Sequence, residues 1–264
     1  VRERQLKVQQ RELEEKIAER TAQLRQEKEK TEELLLNILP KRTAEELKKY
    51  GKTEARTHNF ASVLFTDFKG FTYLAEKLSP KDLVSEIDFC FSKFDDIVGK
   101  FNVEKIKTIG DAYMCAAGVP EENRYNPILI TLVGLEIANF MEGYKVDRVK
   151  NKLPYFELRI GIHTGSLISG VVGKKKFAYD IWGDTVNTAS RIESSGEVGL
   201  VNVSEVTYEA IQPYFDCEFR GKVKAKHKGE ITMYFVKRIK KKYAKDKEGK
   251  IPNDLFKKVL NLLC

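Results

Sequence analysis

Apolar residues recur at heptad-like spacing through the first 38 positions of this chain. One set of positions holds Leu6, Leu13, Arg20, Glu27 and Leu34, and the other holds Gln10, Ile17, Leu24, Thr31 and Ile38. Six of these ten are apolar, a pattern that predicts a long helix able to pair as a parallel coiled coil. Arg20, Glu27 and Thr31 interrupt the seam, which suits either a dimerising helix near marginal stability or a solvated one. Pro40 stops or kinks the helix, because proline lacks an N–H and its ring clashes with the preceding turn. Residues 41–58 read as a short helix and linker, with Gly51 as the helix stop.

The pattern changes at Asn59. A strand is predicted over 60–66 and a short helix over 71–78. Ser79-Pro80 opens a longer helix, with Ser as N-cap and Pro in the first turn. Residues 103–109 and 112–118 read as strands joined at Gly110-Asp111, a hairpin signal. A helix is predicted over 127–144, a strand over 156–164 and another over 167–172. Gly165-Ser166-Leu167-Ile168-Ser169-Gly170 resembles the opening of a P-loop, but Val171 stands where that motif needs Lys; it reads as a close-packed hairpin. A helix over 184–194, a strand over 200–203, a helix from Ser204 and a last strand over 233–236 complete the series. This order predicts an α+β fold, a ferredoxin-like βαββαβ sheet with additions, preceded by the long coiled-coil helix. The expected divisions are 1–40, 41–58, a folded domain over 59–238 and a tail over 239–264.

The net charge of +8 raises the question of a nucleic-acid partner. Basic and acidic residues number nine each in 1–33, 28 against 27 in 34–236, and ten against three in 237–264. The excess therefore belongs to the C-terminal segment, which reads as a solvated basic tail, and no nucleic-acid partner is expected. Cys90, Cys115, Cys217 and Cys264 are scattered, without CxxC or metal-ligand spacing. A reducing, cytoplasmic setting is expected. No apolar run is long enough to span a bilayer; the nearest, 128–141, is broken by Glu136. The charged helical start at Val1 suggests a piece of a longer protein. An upstream sensor or membrane domain is expected to be missing, which would make this the cytoplasmic part of a receptor.

Candidate chemistry starts from Asp67 and Asp111, each placed where an apolar strand runs into a turn. An acid there is costly unless it is paired or binds a cation. Two such acids on neighbouring strands could hold two divalent ions, magnesium or manganese, and two ions suit in-line chemistry at phosphorus. Magnesium tolerates few protein ligands because it keeps water and phosphate oxygens. Phe68-Lys69-Gly70-Phe71-Thr72 joins the first strand to a helix, where backbone N–H groups can meet an anion. Asn187 and Arg191 are four apart and share a helix face. An arginine suits the charge on a transferring phosphoryl group, and an amide can orient a sugar. Lys107 and Asp180 form a donor and acceptor pair matching adenine, whose N1 accepts and whose 6-amino group donates. Guanine reverses both polarities, and each mismatch would cost roughly 1–3 kcal/mol. Lysines in 224–230 could reach a triphosphate.

Together with Tyr179-Asp180-Ile181-Trp182-Gly183-Asp184-Thr185-Val186-Asn187-Thr188-Ala189-Ser190-Arg191, these segments resemble the catalytic domains of class III nucleotide cyclases, over about two-thirds of the chain. The resemblance implies a head-to-tail homodimer with composite active sites. Asp67, Asp111 and the Phe68 carbonyl of one subunit would bind two metals. Lys107, Asp180, Asn187, Arg191 and Lys228 would come from the other. Adenylate cyclases carry Lys and Asp or Thr at the base-reading positions, and guanylate cyclases carry Glu and Cys, so ATP is the expected substrate. One departure is Lys226-His227-Lys228-Gly229, where the family usually has Lys-Gly-Lys-Gly. The stretch 34–50 resembles the helical transducer that precedes many cyclase domains. The alternatives are a guanylate or dual-specificity cyclase, or a silent dimeric nucleotide-binding module. A diguanylate cyclase is disfavoured because its Gly-Gly-Asp/Glu-Glu-Phe turn is absent.

Overall fold

The structure, a computed structural model, describes residues 2–225 and 229–261. The chain divides into two compact units, 1–53 with 171–179, and 54–170 with 180–264. In the first unit, α1 (Arg2–Leu36) is a 35-residue helix. Its seam residues Leu13, Ile17, Leu24 and Leu34 are all exposed. Helix α2 (Lys41–Tyr50) starts directly after Pro40 and ends at Gly51, whose left-handed φ of 68° lets its N–H reach Leu47 O. Lys48 ties α2 to Glu32 of α1 at 2.6 Å.

The second unit is built on one sheet in the order β2-β3-β1-β4-β6-β8-β7, with β5 paired to β4. The strands are β1 (Arg56–Lys69), β2 (Glu104–Ile109), β3 (Ala112–Ala117), β4 (Glu157–Val172), β5 (Ala178–Trp182), β6 (Val201–Ser204), β7 (Phe215–Ala225) and β8 (Gly229–Ile239). Alternation along β1 serves two cores. Leu64 and Phe68 join the larger one, with α4 (Pro80–Lys100), α5 (Asn126–Lys150) and α7 (Glu205–Ile211). Val63 and Phe65 join a smaller one with Met114, Leu167, Ile181 and Ala189, the last on α6 (Asp184–Ser194). Ser79 caps α4 by accepting from Asp82 N, and Ser204 caps α7 by accepting from Thr207 N. No described helix is long and apolar enough to cross a membrane.

Three expectations are corrected. The strand, hairpin and strand expected over 156–172 are one continuous β4. Its 165–169 stretch stays paired with β1, which absorbs the register change in a bulge between His58 and Ala61. Strand β7 went unseen and β8 was expected too short, because Lys, Arg and Glu alternate through a ladder at the sheet edge. The basic tail is folded rather than solvated. Lys240 N donates to Tyr214 O, and α8 (Asp254–Asn261) is capped by Asn253 Oδ1 accepting from Phe256 N. Phe256 is fully buried, stacked on Tyr214 with centroids 5.6 Å apart. Net charge reported the lysines of this segment and hid its packed aromatics, Phe256 and Tyr243.

Candidate active site

Strand register brings the two aspartates together. Asp67 of β1 pairs with Ala112 of β3, and Asp111 is the residue just before Ala112, in the turn where Gly110 takes φ 62°. That conformation is open to glycine without steric cost. Burial, with the charge of Asp67 adding to it, holds the Asp111 carboxyl above the usual carboxylate range. Among the described residues no group of three or more His, Cys, Asp or Glu is placed to hold a metal. Two hard carboxylates in mutual contact nonetheless fit a cation that keeps water and phosphate oxygens.

Arg159 of β4 lies opposite Asp67 and donates from Nη2 to Asp67 Oδ2 at 2.7 Å. Its Nε stands 2.9 Å from Glu193 Oε1, too poorly aligned for a hydrogen bond but close enough for charge attraction. Glu193 is only 6% exposed, and burial pushes its carboxyl up to about 7 against the opposing pull of Arg159. One guanidinium thus links Asp67 to the C-terminal end of α6. Neither Arg159 nor Glu193 was among the expected site residues. The available signal was an arginine between Leu158 and Ile160 in an alternating strand, on the side that α6 covers.

Glycines on β4 explain how α6 comes so close. A Cβ on Gly161 would sit 2.1 Å from Glu193 N, and one on Gly165 would sit 2.6 Å from Thr185 Oγ1. Thr185 donates its hydroxyl to Ser166 O at 2.6 Å, and Asn202 Nδ2 donates to Ile192 O at 2.7 Å. The segment that resembled a P-loop is therefore a seat for a helix. Asn187 and Arg191 are exposed on that helix, and their side chains make no hydrogen bond or ion pair to other described residues.

Lys107 and Asp180, 73 positions apart, meet with Lys107 Nζ donating to Asp180 Oδ2 at 2.5 Å. Asp180 Oδ1 also accepts from Ile181 N at 2.9 Å. The Asp180 side chain is 14% exposed against 41% for Lys107, so the acid is fixed and the amine faces outward. The Phe68 ring is buried against Phe156, 4.6 Å between centroids, which leaves its backbone as the chemically available part. Gly70 has φ 72° and precedes α3 (Phe71–Ala75), a helix of only five residues, with Phe71 half-buried and Thr72 exposed. Lys226 and Lys228 lie outside the described residues.

This combination of sheet, paired aspartates and a helix seated on glycines has a known counterpart. The chain belongs to the adenylate and guanylate cyclase catalytic-domain family, whose sequence model matches residues 53–238. Receptor-type guanylate cyclase gcy-23 of Caenorhabditis elegans is 39% identical over 229 residues, 85% of this chain and 21% of that protein. An adenylate cyclase of Mycobacterium tuberculosis is 38% identical over 221 residues, 83% of this chain and 48% of that protein. The chain thus spans between about a fifth and about half the length of these curated relatives. Among solved structures, the catalytic core of a rhodopsin-guanylyl cyclase with converted specificity, in complex with ATPalphaS, superposes with a TM-score of 0.64. Identity is 31%, covering 70% of this chain and 98% of that one. Relatives of both substrate classes are equally near, and class III cyclase domains use divalent metals.

Proposed function

We infer that this chain is the catalytic part of a homodimeric adenylate cyclase, converting ATP to 3′,5′-cyclic AMP and pyrophosphate. The observation that carries the choice of ATP is the contact between Lys107 and Asp180. The pair presents one donor and one acceptor side by side, the complement of adenine N1 and its 6-amino group. Loss of their mutual contact on base binding is offset by the two new hydrogen bonds.

Asp67, Asp111 and the Phe68 carbonyl would hold two divalent cations, magnesium or manganese, which supply Lewis-acid activation of the ribose 3′-hydroxyl and neutralise phosphate charge. The 3′-oxygen attacks the α-phosphorus as its proton leaves, and the bond from the α-phosphorus to the bridging β-oxygen breaks. Arg159, drawn to Asp67 in this structure, is placed to turn its charge toward the polyphosphate. Gly70, Phe71 and Thr72 offer backbone N–H groups beside it. Arg191 answers charge developing at the α-phosphoryl group and Asn187 orients the ribose, both from the partner subunit, a reading supported by their exposed side chains, which have no partner among the described residues. Lys228 is assigned to the phosphates. The exposed leucine seam of α1 serves pairing of two copies, and 34–50 transmits a signal from an upstream sensor to a cytoplasmic domain.

The test is product analysis with manganese or magnesium and either ATP or GTP. Cyclic AMP from ATP, with little cyclic GMP from GTP, supports the assignment. Lys107→Glu with Asp180→Cys should then move preference toward GTP. Dominant cyclic GMP from the unmodified protein would favour the guanylate cyclase reading, which the similarity to receptor-type guanylate cyclases keeps in view. No cyclic product at any protein concentration would favour a silent module.

A further inference from the structure

On the face of the sheet opposite the aspartates, a cleft of about 760 Å³ opens between the C-terminal half of α5, the start of β4 and the turn ahead of β6. Its floor is apolar, formed by Met141, Phe156, Leu158, Ile160, Val201 and Val236. Leu158 and Ile160 flank Arg159 and point away from it by strand alternation, so the cleft is separate from the site described above. Val146 and Val149 stand at the lip, 66% and 54% exposed on the C-terminal half of the helix. The six floor residues are each nearly buried, so the apolar lining that a ligand could touch is Val146 and Val149 at the lip with the half-buried Leu135, Ala138, Val198 and Leu200.

The rim is basic. Lys145, Lys150, Lys237 and Lys250 line it together with Glu142 and Glu157. Lys145 is held by Glu157 at 2.6 Å, Lys250 by Glu142 at 2.8 Å and Lys237 by Glu218 at 3.1 Å. Lys150, in the last turn of α5, has no ion pair among the described residues. Lys250 comes from the folded C-terminal segment, beyond the region that the family model matches. It is positioned by the Asp246 carboxylate, which accepts from the N–H groups of Lys250 and Ile251. One charge on the rim is therefore contributed from outside the region that the family model matches.

We propose that this cleft binds a medium-chain amphipathic carboxylate, with its alkyl chain along the apolar lining and its carboxylate between Lys150 and Lys250. The volume lies within the roughly 300–1,000 Å³ of small-molecule sites. An apolar lining with net positive charge at one end selects a chain with an anionic head over a neutral or cationic one.

The test is calorimetric titration of the full chain with sodium decanoate, sodium octanoate and 1-decanol. Saturable binding of decanoate is expected, about 15-fold tighter than octanoate, since each of the two extra methylenes is worth about fourfold. Lys150→Glu should weaken decanoate about fivefold or more and leave decanol unchanged. Ala138→Phe, which fills the cleft from α5, should weaken both. Absence of saturable binding below about 1 mM overturns the proposal. So does decanoate binding that Lys150→Glu leaves unaltered, which would place the ligand elsewhere. These readouts need no cyclase activity and stand apart from the choice of nucleotide.

Discussion

Replacing Gly161 with alanine tests whether the seating of α6 on β4 sets the catalytic geometry. Gly161 is in an extended strand with no positive φ, so alanine is compatible with its backbone and the effect is steric. The new Cβ would lie 2.1 Å from Glu193 N and 2.3 Å from Glu193 Cα. These are backbone atoms, which cannot swing aside as a side chain can. Restoring ordinary contact at 3.4 Å requires α6 to lift by about 1.3 Å. Arg191 lies two residues before Glu193 and moves with it, and Asn187 follows unless the helix bends. A misplacement of about 1 Å costs on the order of 100-fold in rate. Overpacking costs about 1–3 kcal/mol in stability, since the contacts from Thr185 to Ser166 and Asn202 to Ile192 would stretch. The assay is the initial rate of cyclic nucleotide formation at saturating metal and nucleotide, with a urea midpoint on the same sample. Gly143→Ala is the control, because that helical glycine has nothing within 4 Å of a new Cβ. It should gain about 0.5–1 kcal/mol and keep its rate. A Gly161→Ala protein with a rate within about threefold of the parent and an unchanged midpoint would refute the argument.

Other outcomes follow from the same structure. Phe256→Ala should cost about 3–5 kcal/mol, read as a lowered urea midpoint; a solvated tail would show no change. Burial pushes the Glu104 carboxyl from 4.5 up to about 7, so the folded state holds a proton that the unfolded state has lost. Stability is full below pH 4.5, falls as pH rises toward 7 and is flat above. Glu104→Gln should therefore gain about 1–3 kcal/mol at pH 8 and about nothing at pH 4, and an equal gain at both would contradict this. Asp67→Ala and Arg191→Ala should each be inactive alone, while mixing them should rebuild one good site per heterodimer. No recovery despite demonstrated subunit exchange would argue against catalysis across the interface.

What the sequence alone determined is what depends on neighbours within a few positions. Ser79 and Ser204 cap the helices expected of them, Gly51 ends α2, and Gly110-Asp111 turns one strand into the next, because a cap or tight turn is satisfied by atoms three or four residues away. The helix over 184–194 and the placing of Asn187 and Arg191 on it were legible for the same reason. The tertiary structure decided the rest. Arg159 meets Asp67 across 92 positions, through a register that no local pattern encodes. Gly165 read as part of a hairpin, and it and Gly161 proved to be absences of side chain, needed because a helix lies directly on their strand. Phe256 anchors a segment whose charge pointed to solvent, since burial depends on what the rest of the fold leaves uncovered. The periodicity of the α1 seam was readable because it repeats every few residues, while its exposure within its own chain is a fact of the fold.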